Sequence, residues 1–494
     1  MFEDISALKY LMICSECIGD PFIAIQIEKT AQNDECHHCF ETSPIMTLGE
    51  VAELVDQAFE VHYERTSQDM TSLEYAMHKD KELSYDWERE GERPEYIIAD
   101  QVGVDADTAL NIKKILAEKH FDFEMAKMGE ETEFSGESQY EPKRVDSYGL
   151  YDEWRNFRDN VEKEARYFSN SAKEFLDSIF GDVEDLKTRE GDYVIQTINP
   201  GDDLSIFFRG RTFQSEKKVE EAMVRPDRDI GPAPSGLAAA GRMNAKGISV
   251  FYGATHPDIA LSELRPPVGS SVVMGEFHLV RPIRLLNLSL LSKVVARGSI
   301  FDPNFTELES RSHFLTSLVR IMTRPTNPDL ADKEYLPTQL IAEYIANAHP
   351  SEIDGILFSS SQSEEAGFNV VLFRHASKVE PLIIDPRSEI NTSTYEQYAD
   401  DEIEIHYSVT EWVEDEIVNN TKDLIPEDDD IFEDVDGPII LPDISYQSDP
   451  RSPFLKINLD NLVVRQIKAS KFTSDDYKVS HQTYKKSELR GLPF

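Results

Sequence analysis

Four cysteines near the start of the chain have a spacing that suits a metal ion. Cys14, Cys17, Cys36 and Cys39 follow the pattern C-x2-C-x18-C-x2-C. Two such knuckles bring four thiolates into the tetrahedron that zinc prefers, and four protein ligands leave no open position for catalysis. We therefore expect a structural zinc site, with the neighbouring histidines flanking it. The alternative is two redox-active or disulfide-bonded pairs, which a cytoplasmic chain disfavours.

Two arginines interrupt a strand-like run in the middle of the chain. Arg209 and Arg211 follow the apolar residues LSIFF, so alternation along a strand places both on the face opposite Phe208. Arginines in such a strand need an anionic partner.

The segment GRMNAKG has the composition of a loop that approaches an anion. Gly241 and Gly247 flank Arg242 and Asn244, and glycine lets the backbone come close to a phosphate. Glycine turns are common, however, so this loop alone is weak support for a binding site.

The run ISVFYGA and the helix-like PDIALSEL follow that loop. Tyr252 stands near the end of the apolar run, and Glu263 stands near the end of the helix. Read by itself, Glu263 is an ordinary solvated charge on a helix. Its neighbours decide whether it has another role.

The first half of the chain has a helical pattern. Thr47 and Glu50 open a predicted amphipathic helix at 47–65 with capping-box spacing. A helix, a turn near Gly103 and a second helix are expected over 95–121. This pair resembles a helix-turn-helix, but it lacks a basic recognition face, so we favour plain helical packing. The polar stretch 129–149 is typical of a linker or long loop, and a helix is expected over 152–180.

Short strands dominate the following region, with two helices inserted at 305–323 and 337–348. Gly, Pro, Asn and Asp bound each apolar run, which is typical of strands in a mixed α+β domain. The runs are YVIQTI (193–198), LSIFFRGRTF (204–213), ISVFYGA (248–254), SVVMGEFHLV (271–280), IRLLNL (283–288), GILFSSS (355–361) and FNVVLF (368–373). The last hundred residues contain the strand-like EIEIHYSV and FLKINL, and their pattern leaves a β appendage and a partly disordered tail open.

The chain has 494 residues, 93 acidic and 50 basic, and a net charge of −43. The electrostatic field of such a charge repels nucleic acid and anionic membranes. The acidic residues either keep the protein soluble or bind a basic partner through segments such as PEDDDIFEDVD (426–436). Neither a membrane span nor a signal peptide is apparent, so we expect a cytoplasmic protein.

Taken together, the ordered motifs resemble the RES-domain proteins, known as toxins of RES/Xre toxin–antitoxin pairs. The resemblance covers about 200–375 and rests on FFRGR, GRMNAKGISVFY, ALSEL, the serine-containing DGILFSSSQSEEAGFNVVLF, and YLPTQLIAEYI at 335–345. The family usually has an aromatic residue where Met243 stands. The N-terminal half is similar to the zinc-knuckle, HEPN-like domain of longer members.

The resemblance implies a fold like that of ADP-ribosyltransferases and cleavage of the nicotinamide–ribose bond of NAD. It implies catalytic roles for Arg209, Tyr252, Glu263 and Ser360. A carboxylate such as Glu263 would stabilise an oxocarbenium-like transition state. The substrate-binding set would comprise Arg211, Gly241, Arg242, Asn244, Gly247, Ser361 and Asn369, with Ser361 also the fallback for Ser360.

These expectations give an α+β protein with four segments. They are a zinc knuckle at 1–45, a helical HEPN-like domain at 46–185, a RES domain at 188–385 and an acidic C-terminal extension at 386–494.

The leading function is NAD phosphorolysis or hydrolysis by a toxin or defence enzyme that depletes NAD. The acceptor would be inorganic phosphate or water. The alternatives are a protein mono-ADP-ribosyltransferase and an inactive, zinc-stabilised acidic interaction protein. A protein antitoxin or a basic protein would be the macromolecular partner. Alternatively, the N-terminal domain or the acidic tail of the same chain would shield the pocket and control activity. The sequence sets no oligomeric state.

Overall fold

The computed structural model describes residues 5–30, 32–80, 86–144, 147–164, 169–326, 328–360, 367–397, 403–413 and 449–469. Ser361 and the acidic stretch 426–436 lie outside these described residues. The chain forms two compact units. The first comprises Met1–Gln196, Ala240–Ala245 and Arg284–Phe358, and the second comprises Thr197–Ala239, Lys246–Ile283 and Ser359–Phe494.

Helices and strands are mixed along the described chain, as expected for an α+β protein. The helices are α1 (Ile5–Leu8), α2 (Pro21–Glu28), α3 (Leu48–His62), α4 (Ser72–Lys79), α5 (Pro94–Ile98), α6 (Ala106–Lys119), α7 (Phe123–Met128), α8 (Tyr148–Lys163), α9 (Asn170–Phe180), α10 (Glu216–Val224), α11 (Pro226–Asp229), α12 (Pro257–Leu264), α13 (Leu288–Leu291), α14 (Phe305–Thr323) and α15 (Ala331–Asn347). No described helix is both long and apolar enough to cross a lipid bilayer.

The strands are short, and most begin within a few residues of the predicted runs. They are β1 (Met12–Cys14), β2 (Asn33–Glu35), β3 (Thr42–Thr47), β4 (Tyr63–Arg65), β5 (Tyr140–Pro142), β6 (Ile195–Ile198), β7 (Ile206–Phe213), β8 (Phe251–Ala254), β9 (Ser271–Leu279), β10 (Ile283–Asn287), β11 (Gly355–Ser359), β12 (Phe368–Leu372), β13 (Glu389–Gln397), β14 (Ile403–Trp412) and β15 (Leu455–Gln466).

In the first unit, α3 starts where the capping box predicts. The Thr47 side chain accepts a hydrogen bond from the Glu50 N–H at 3.1 Å, and the Glu50 carboxylate accepts one from the Thr47 N–H at 2.9 Å. Val51, Val55 and Phe59 follow at helical spacing and are buried. Because both orphan N–H groups at the helix start have partners, the local sequence fixes this end of α3.

The predicted helix pair around Gly103 is confirmed as α5, a single wide turn at Ala99–Gly103, and α6. Gly103 has a φ of +71°, which favours glycine. A Cβ there would lie 2.5 Å from the Cα of Gly19, and the Gly19 N–H donates to the carbonyl oxygens of Val102 and Gly103. The turn therefore packs directly against the backbone that follows the first cysteine pair.

Of the two options for 129–149, the long loop is confirmed, because turns and irregular structure precede the short strand β5, whereas a linker is wrong. Phe134 and Tyr140 are 2% and 3% exposed and pack around the ring of Phe59, while β5 pairs antiparallel with β4. These two aromatic side chains anchor an otherwise polar and largely accessible loop to the core of the first unit, although they create no regular apolar period.

The helix expected over 152–180 is two helices, α8 and α9, which contact each other. Trp154, Phe157 and Phe175 form an aromatic cluster with Phe314 of α14. In the same unit, β10 and β11 pair in parallel.

The second unit is built on antiparallel strands in the order β15-β9-β7-β8-β12. Helix α12 covers one face of these strands, where Ile259 and Ala260 pack against Val272 and Met274. The last described segment, β15, pairs with β9 along most of its length, and β13 and β14 form a separate hairpin. At 389–397, 403–412 and 455–466 the C-terminal region is therefore strand, one of the two outcomes that the sequence left open.

Candidate functional site

The four cysteines converge in the first unit. Their sulfur atoms all lie within 4.8 Å of one another, with 3.6 Å between Cys14 and Cys39 and 4.0 Å between Cys17 and Cys36. Four sulfurs around a zinc ion at bonds of about 2.3 Å would be separated by about 3.8 Å. The set therefore fits a tetrahedral metal ion with four sulfur ligands.

The backbone around this cluster favours thiolate at one position. Burial acts to raise the pKa of the Cys36 thiol, but hydrogen bonds from the backbone N–H groups of Cys39 and His38 outweigh it and lower that pKa to about 7. The two histidines have other partners. His37 Nδ1 accepts from the Met12 N–H at 2.9 Å, and His38 Nδ1 lies 3.0 Å from Asp105 at the start of α6.

In the second unit, Arg209 lies where β7 and β8 diverge. The two strands pair only at Phe208 and Ala254, and the guanidinium enters the gap beyond that pair. Its Nε–H donates to the Ile230 carbonyl oxygen at 2.7 Å and its Nη1–H donates to the Tyr252 carbonyl oxygen at 2.6 Å. These two bonds hold the guanidinium plane in one orientation.

The positive charge of Arg209 is not balanced by a carboxylate among the described residues. Burial lowers its pKa to about 10, and repulsion from Arg211 adds to that effect, whereas Tyr252 opposes it. Arg211 is exposed and donates to the Asp229 carbonyl oxygen at 3.1 Å. Two cations without a described acidic partner make this part of the sheet electrostatically suited to an anion.

The strand register divides the predicted residues between two faces. Phe208, Ala254 and Asn369 lie opposite one another on β7, β8 and β12, so their side chains share a face. That face carries α12, because a Cβ at Gly210 would lie 3.0 Å from the Leu264 side chain. Arg209 and Arg211 alternate with Gly210 and lie on the other face.

Tyr252 connects the two faces. Its carbonyl oxygen accepts from Arg209, whereas its side chain lies on the α12 face by alternation from Ala254. Strand β8, which carries Tyr252, therefore contacts residues on the Arg209 face and residues on the α12 face.

Glu263 is held by Asn369, a residue of the predicted substrate-binding set. It is an exposed residue in the last turn of α12, and its Oε1 accepts a hydrogen bond from Asn369 Nδ2 at 2.9 Å. Asn369 is only 5% exposed and stands on β12. A buried amide on a strand thus fixes one oxygen of a carboxylate that remains accessible to solvent.

Ser360 lies at the same end of β12. Its backbone N–H donates to the Gly367 carbonyl oxygen at 3.4 Å. Thr255, which follows β8, contacts the first residue of β12, because its Oγ1 accepts a hydrogen bond from the Phe368 N–H at 2.9 Å. A Cβ at Gly367 would lie 2.9 Å from that oxygen and 2.6 Å from the Ile259 side chain, so a larger residue would require these side chains to move. Ser360, Asn369 and Glu263 consequently belong to one end of the second unit.

The GRMN loop belongs to the first unit and is held by α14 and α15. Arg242 Nη1 donates to the carbonyl oxygens of Met322 and Arg324 at 3.0 and 2.6 Å, and its guanidinium lies 5.4 Å from the Tyr335 ring centre. Its expected phosphate contact stays a prediction. Met243 is 2% exposed, so this departure from the family pattern is a core side chain.

The loop backbone is fixed at each of its predicted binding residues. The Gly241 N–H donates to the Asn244 carbonyl oxygen at 3.0 Å, and Asn244 is 4% exposed with its Nδ2 on the Ala245 carbonyl oxygen. Thr338 and Gln339 of α15 donate to the carbonyl oxygens of Arg242 and Gly241. Gly247 belongs to the second unit and has a φ of +89°.

Sequence reasoning missed the residues that hold these groups in place. Thr255, Tyr335 and Gln339 act through backbone or ring contacts that no local spacing encodes. The YLPTQLIAEYI motif contains Tyr335 and Gln339, so this motif is the signal in the sequence that points to them.

Comparison with known proteins gives one match. Residues 218–393 match the family model of the RES domain. No curated protein and no solved structure matches the chain significantly. The matched segment includes Arg242, Tyr252, Glu263, Ser360 and Asn369, whereas β7 and β15 lie outside it.

Proposed function

Because the chain carries a RES domain and so belongs to that family over residues 218–393, we propose that it is an enzyme that cleaves the bond between nicotinamide and ribose in NAD. The RES family acts on NAD. The proposal concerns the second unit, which contains Arg209 on one face of its strands and Tyr252, Glu263 and Asn369 on the side that carries α12.

The observation that carries this proposal is the charge of Arg209 beside Arg211, which no carboxylate in the described part of the chain balances. A partly buried guanidinium whose pKa is lowered by burial and by a second cation is stabilised by a bound anion. The diphosphate of NAD supplies that anion, and bidentate arginine–phosphate hydrogen bonds add orientation to charge. A local arginine pair also explains how a chain of net charge −43 holds a negative substrate.

The carboxylate of Glu263 supplies the second requirement. When the glycosidic bond breaks, its electron pair moves to the nicotinamide nitrogen, and nicotinamide leaves as a neutral molecule without a general acid. Positive charge develops on the ribose, and a fixed carboxylate stabilises it. Asn369 holds one oxygen of Glu263 in place, so little reorganisation is needed.

The ribosyl cation is then captured by a nucleophile. Water would give ADP-ribose and a proton, and inorganic phosphate would give ADP-ribose phosphate. Tyr252 would contact the nicotinamide or ribose, and Ser360 would hold the substrate through its hydroxyl group. Gly247 and Ser361 of the second unit keep their predicted substrate-binding roles as part of the proposal. Gly241, Arg242 and Asn244 belong to the first unit, and their substrate-binding roles stay predictions. NAD depletion by such an enzyme would make it a toxin or defence effector.

The cysteine cluster has a separate role in this proposal. Cys14, Cys17, Cys36 and Cys39 would hold a structural zinc ion, which stabilises the first unit and leaves no coordination position for substrate.

The test compares Glu263→Gln with the wild-type chain. The amide keeps the size of the side chain and removes its charge, so we expect nicotinamide release to fall by at least about a hundredfold. Glu307→Gln, a change at an exposed glutamate of α14, is the matched control and should retain full activity. Circular dichroism and thermal unfolding establish that both variants are folded. Undiminished nicotinamide release by Glu263→Gln would contradict the assignment.

A further inference from the structure

We infer that Arg465, which lies C-terminal to the matched RES segment, positions helix α12 and thereby the Glu263 carboxylate. This inference rests on the proposed function for its catalytic consequence. The contact that it concerns lies entirely within the second unit.

Strand β15 is attached firmly to the sheet that carries α12. It pairs with β9 from Leu455 to Asn458 and again from Val463 to Gln466, with a bulge between. Glu276 of β9 is 9% exposed and accepts from Asn458 at 3.1 Å and from Asn461 at 2.9 Å. A buried carboxylate with these partners holds the start and the interior of the bulge.

The bulge determines which β15 residues reach α12. After it, Arg465 pairs with Val272 in the ladder and its Nη1 contacts the Asp258 carboxylate in the first turn of α12. Two residues further on, Ile467 packs against the apolar cluster formed by Ile259, Ala260, Val272 and Met274 with Ala254. The same strand end thus contacts α12 through a charge and through an apolar side chain.

Helix α12 depends on such contacts for its position. It has eight residues, too few for a helix to be stable by itself in water. Asn369 contacts Glu263 in its last turn, and Arg465 contacts Asp258 in its first turn. Removing Arg465 leaves the helix held by the sheet below and by Asn369, so the Glu263 carboxylate gains freedom of movement.

Ion pairs as accessible as this one add little to global stability, about 1 kcal/mol or less. Its effect should therefore appear in the geometry of the site and only weakly in the melting temperature. Even a small displacement of a catalytic group from its reactive position lowers the rate of the chemical step.

The experiment uses the full chain and four variants. Arg465→Ala and Asp258→Asn each remove one partner, Arg465→Lys keeps the charge, and the double variant Arg465→Ala/Asp258→Asn closes the cycle. Lys456→Ala is the matched control, because Lys456 stands on the same strand and faces Glu380, 3.8 Å away, rather than α12. Hydrogen–deuterium exchange of residues 257–264 and the kinetics of nicotinamide release are measured for each.

We expect Arg465→Ala to raise amide exchange in α12 and to lower kcat by about tenfold, with a KM for NAD within about twofold of the wild-type value. Arg465→Lys should restore most of the rate, and the double variant should be no worse than either single variant. Lys456→Ala should resemble the wild type in both measurements.

The two readouts separate this inference from the proposed function. If hydrogen–deuterium exchange in α12 is the same in Arg465→Ala as in Lys456→Ala, the positioning role is overturned, whatever the kinetics show. Raised exchange with unchanged kcat would overturn its catalytic consequence. Raised exchange in a chain whose wild type releases no nicotinamide would refute the proposed function and the catalytic part of this inference, leaving only the structural contact.

Discussion

Arg209 and Glu263 are held by the fold in different ways. The guanidinium donates to two backbone carbonyl oxygens, those of Ile230 and Tyr252, which fix its plane, and no carboxylate among the residues that the structure describes balances its charge. The carboxylate is fixed at one oxygen by Asn369 and is otherwise accessible. At this scale the second unit presents an oriented cation on one face of its strands and an oriented carboxylate on the face that carries α12.

Arg209→Lys tests the orientation of the cation. Lysine keeps the charge but cannot make the two planar donor contacts or a bidentate phosphate contact, so we expect NAD affinity to fall by about tenfold or more. Calorimetric titration of NAD into the Glu263→Gln background measures binding without turnover. Arg211→Lys is the comparison, since Arg211 is exposed and makes one carbonyl contact, and its effect should be smaller. Equal effects of the two substitutions would contradict the role assigned to Arg209.

The types of these residues could be predicted from the sequence, whereas their contacts could not. Arginines after an apolar strand and a glutamate in a short helix are visible in the motifs FFRGR and ALSEL. The pairing of Asn369 with Glu263 joins residues 106 positions apart and depends on the register of β12 against β8. For the same reason, the position of Arg242 against Met322 and Arg324 could not be found from local spacing.

Individual elements follow the sequence where a local signal is strong. The capping box at Thr47 predicts the start of α3, and the apolar pattern predicts α14. Helix α15 begins six residues before the predicted start because Pro337 lies inside the helix and not in its first turn. The pairing of β15 with β9 was beyond prediction, since an edge strand takes its partner from a segment far away in the chain.

The turn between α5 and α6 makes a prediction at this scale. Gly103→Ala should lower the free energy of unfolding by about 3 kcal/mol, because alanine is strained at a φ of +71° and its Cβ would meet the Gly19 backbone. Gly129→Ala is the matched control, with a φ of +79° and no neighbouring atom within 4 Å, and should cost about 1 kcal/mol. Urea unfolding measures both. If the two variants lost the same stability, the close approach to Gly19 would have no energetic effect.

Within the whole molecule, the cysteine cluster and the residues proposed for catalysis belong to different units. The cysteine cluster belongs to the first unit, whereas Arg209 and the Glu263–Asn369 pair belong to the second. The RES match begins after β7 and ends before β15, although both strands belong to the second unit. The folded unit around the proposed site therefore extends beyond the matched segment at both ends.

Metal removal tests the role of the cysteine cluster. We expect the purified chain to contain about one zinc ion, and chelation to lower its thermal stability, because binding energy at a four-thiolate site contributes directly to folding. Metal analysis and thermal unfolding with and without chelator measure this. Cys36→Ser should be less stable than the wild type and insensitive to chelator, since Cys36 is a fully buried member of the cluster. A zinc-free wild-type chain whose stability is unaffected by chelation would exclude the structural metal.

The most direct test of the account follows NAD and its products by mass spectrometry during incubation with the full chain, with and without inorganic phosphate. We predict that nicotinamide appears in step with the loss of NAD. The other product should be free ADP-ribose, or ADP-ribose phosphate when phosphate is present. Transfer of ADP-ribose onto protein would instead favour a mono-ADP-ribosyltransferase. Intact NAD after prolonged incubation would contradict the central claim.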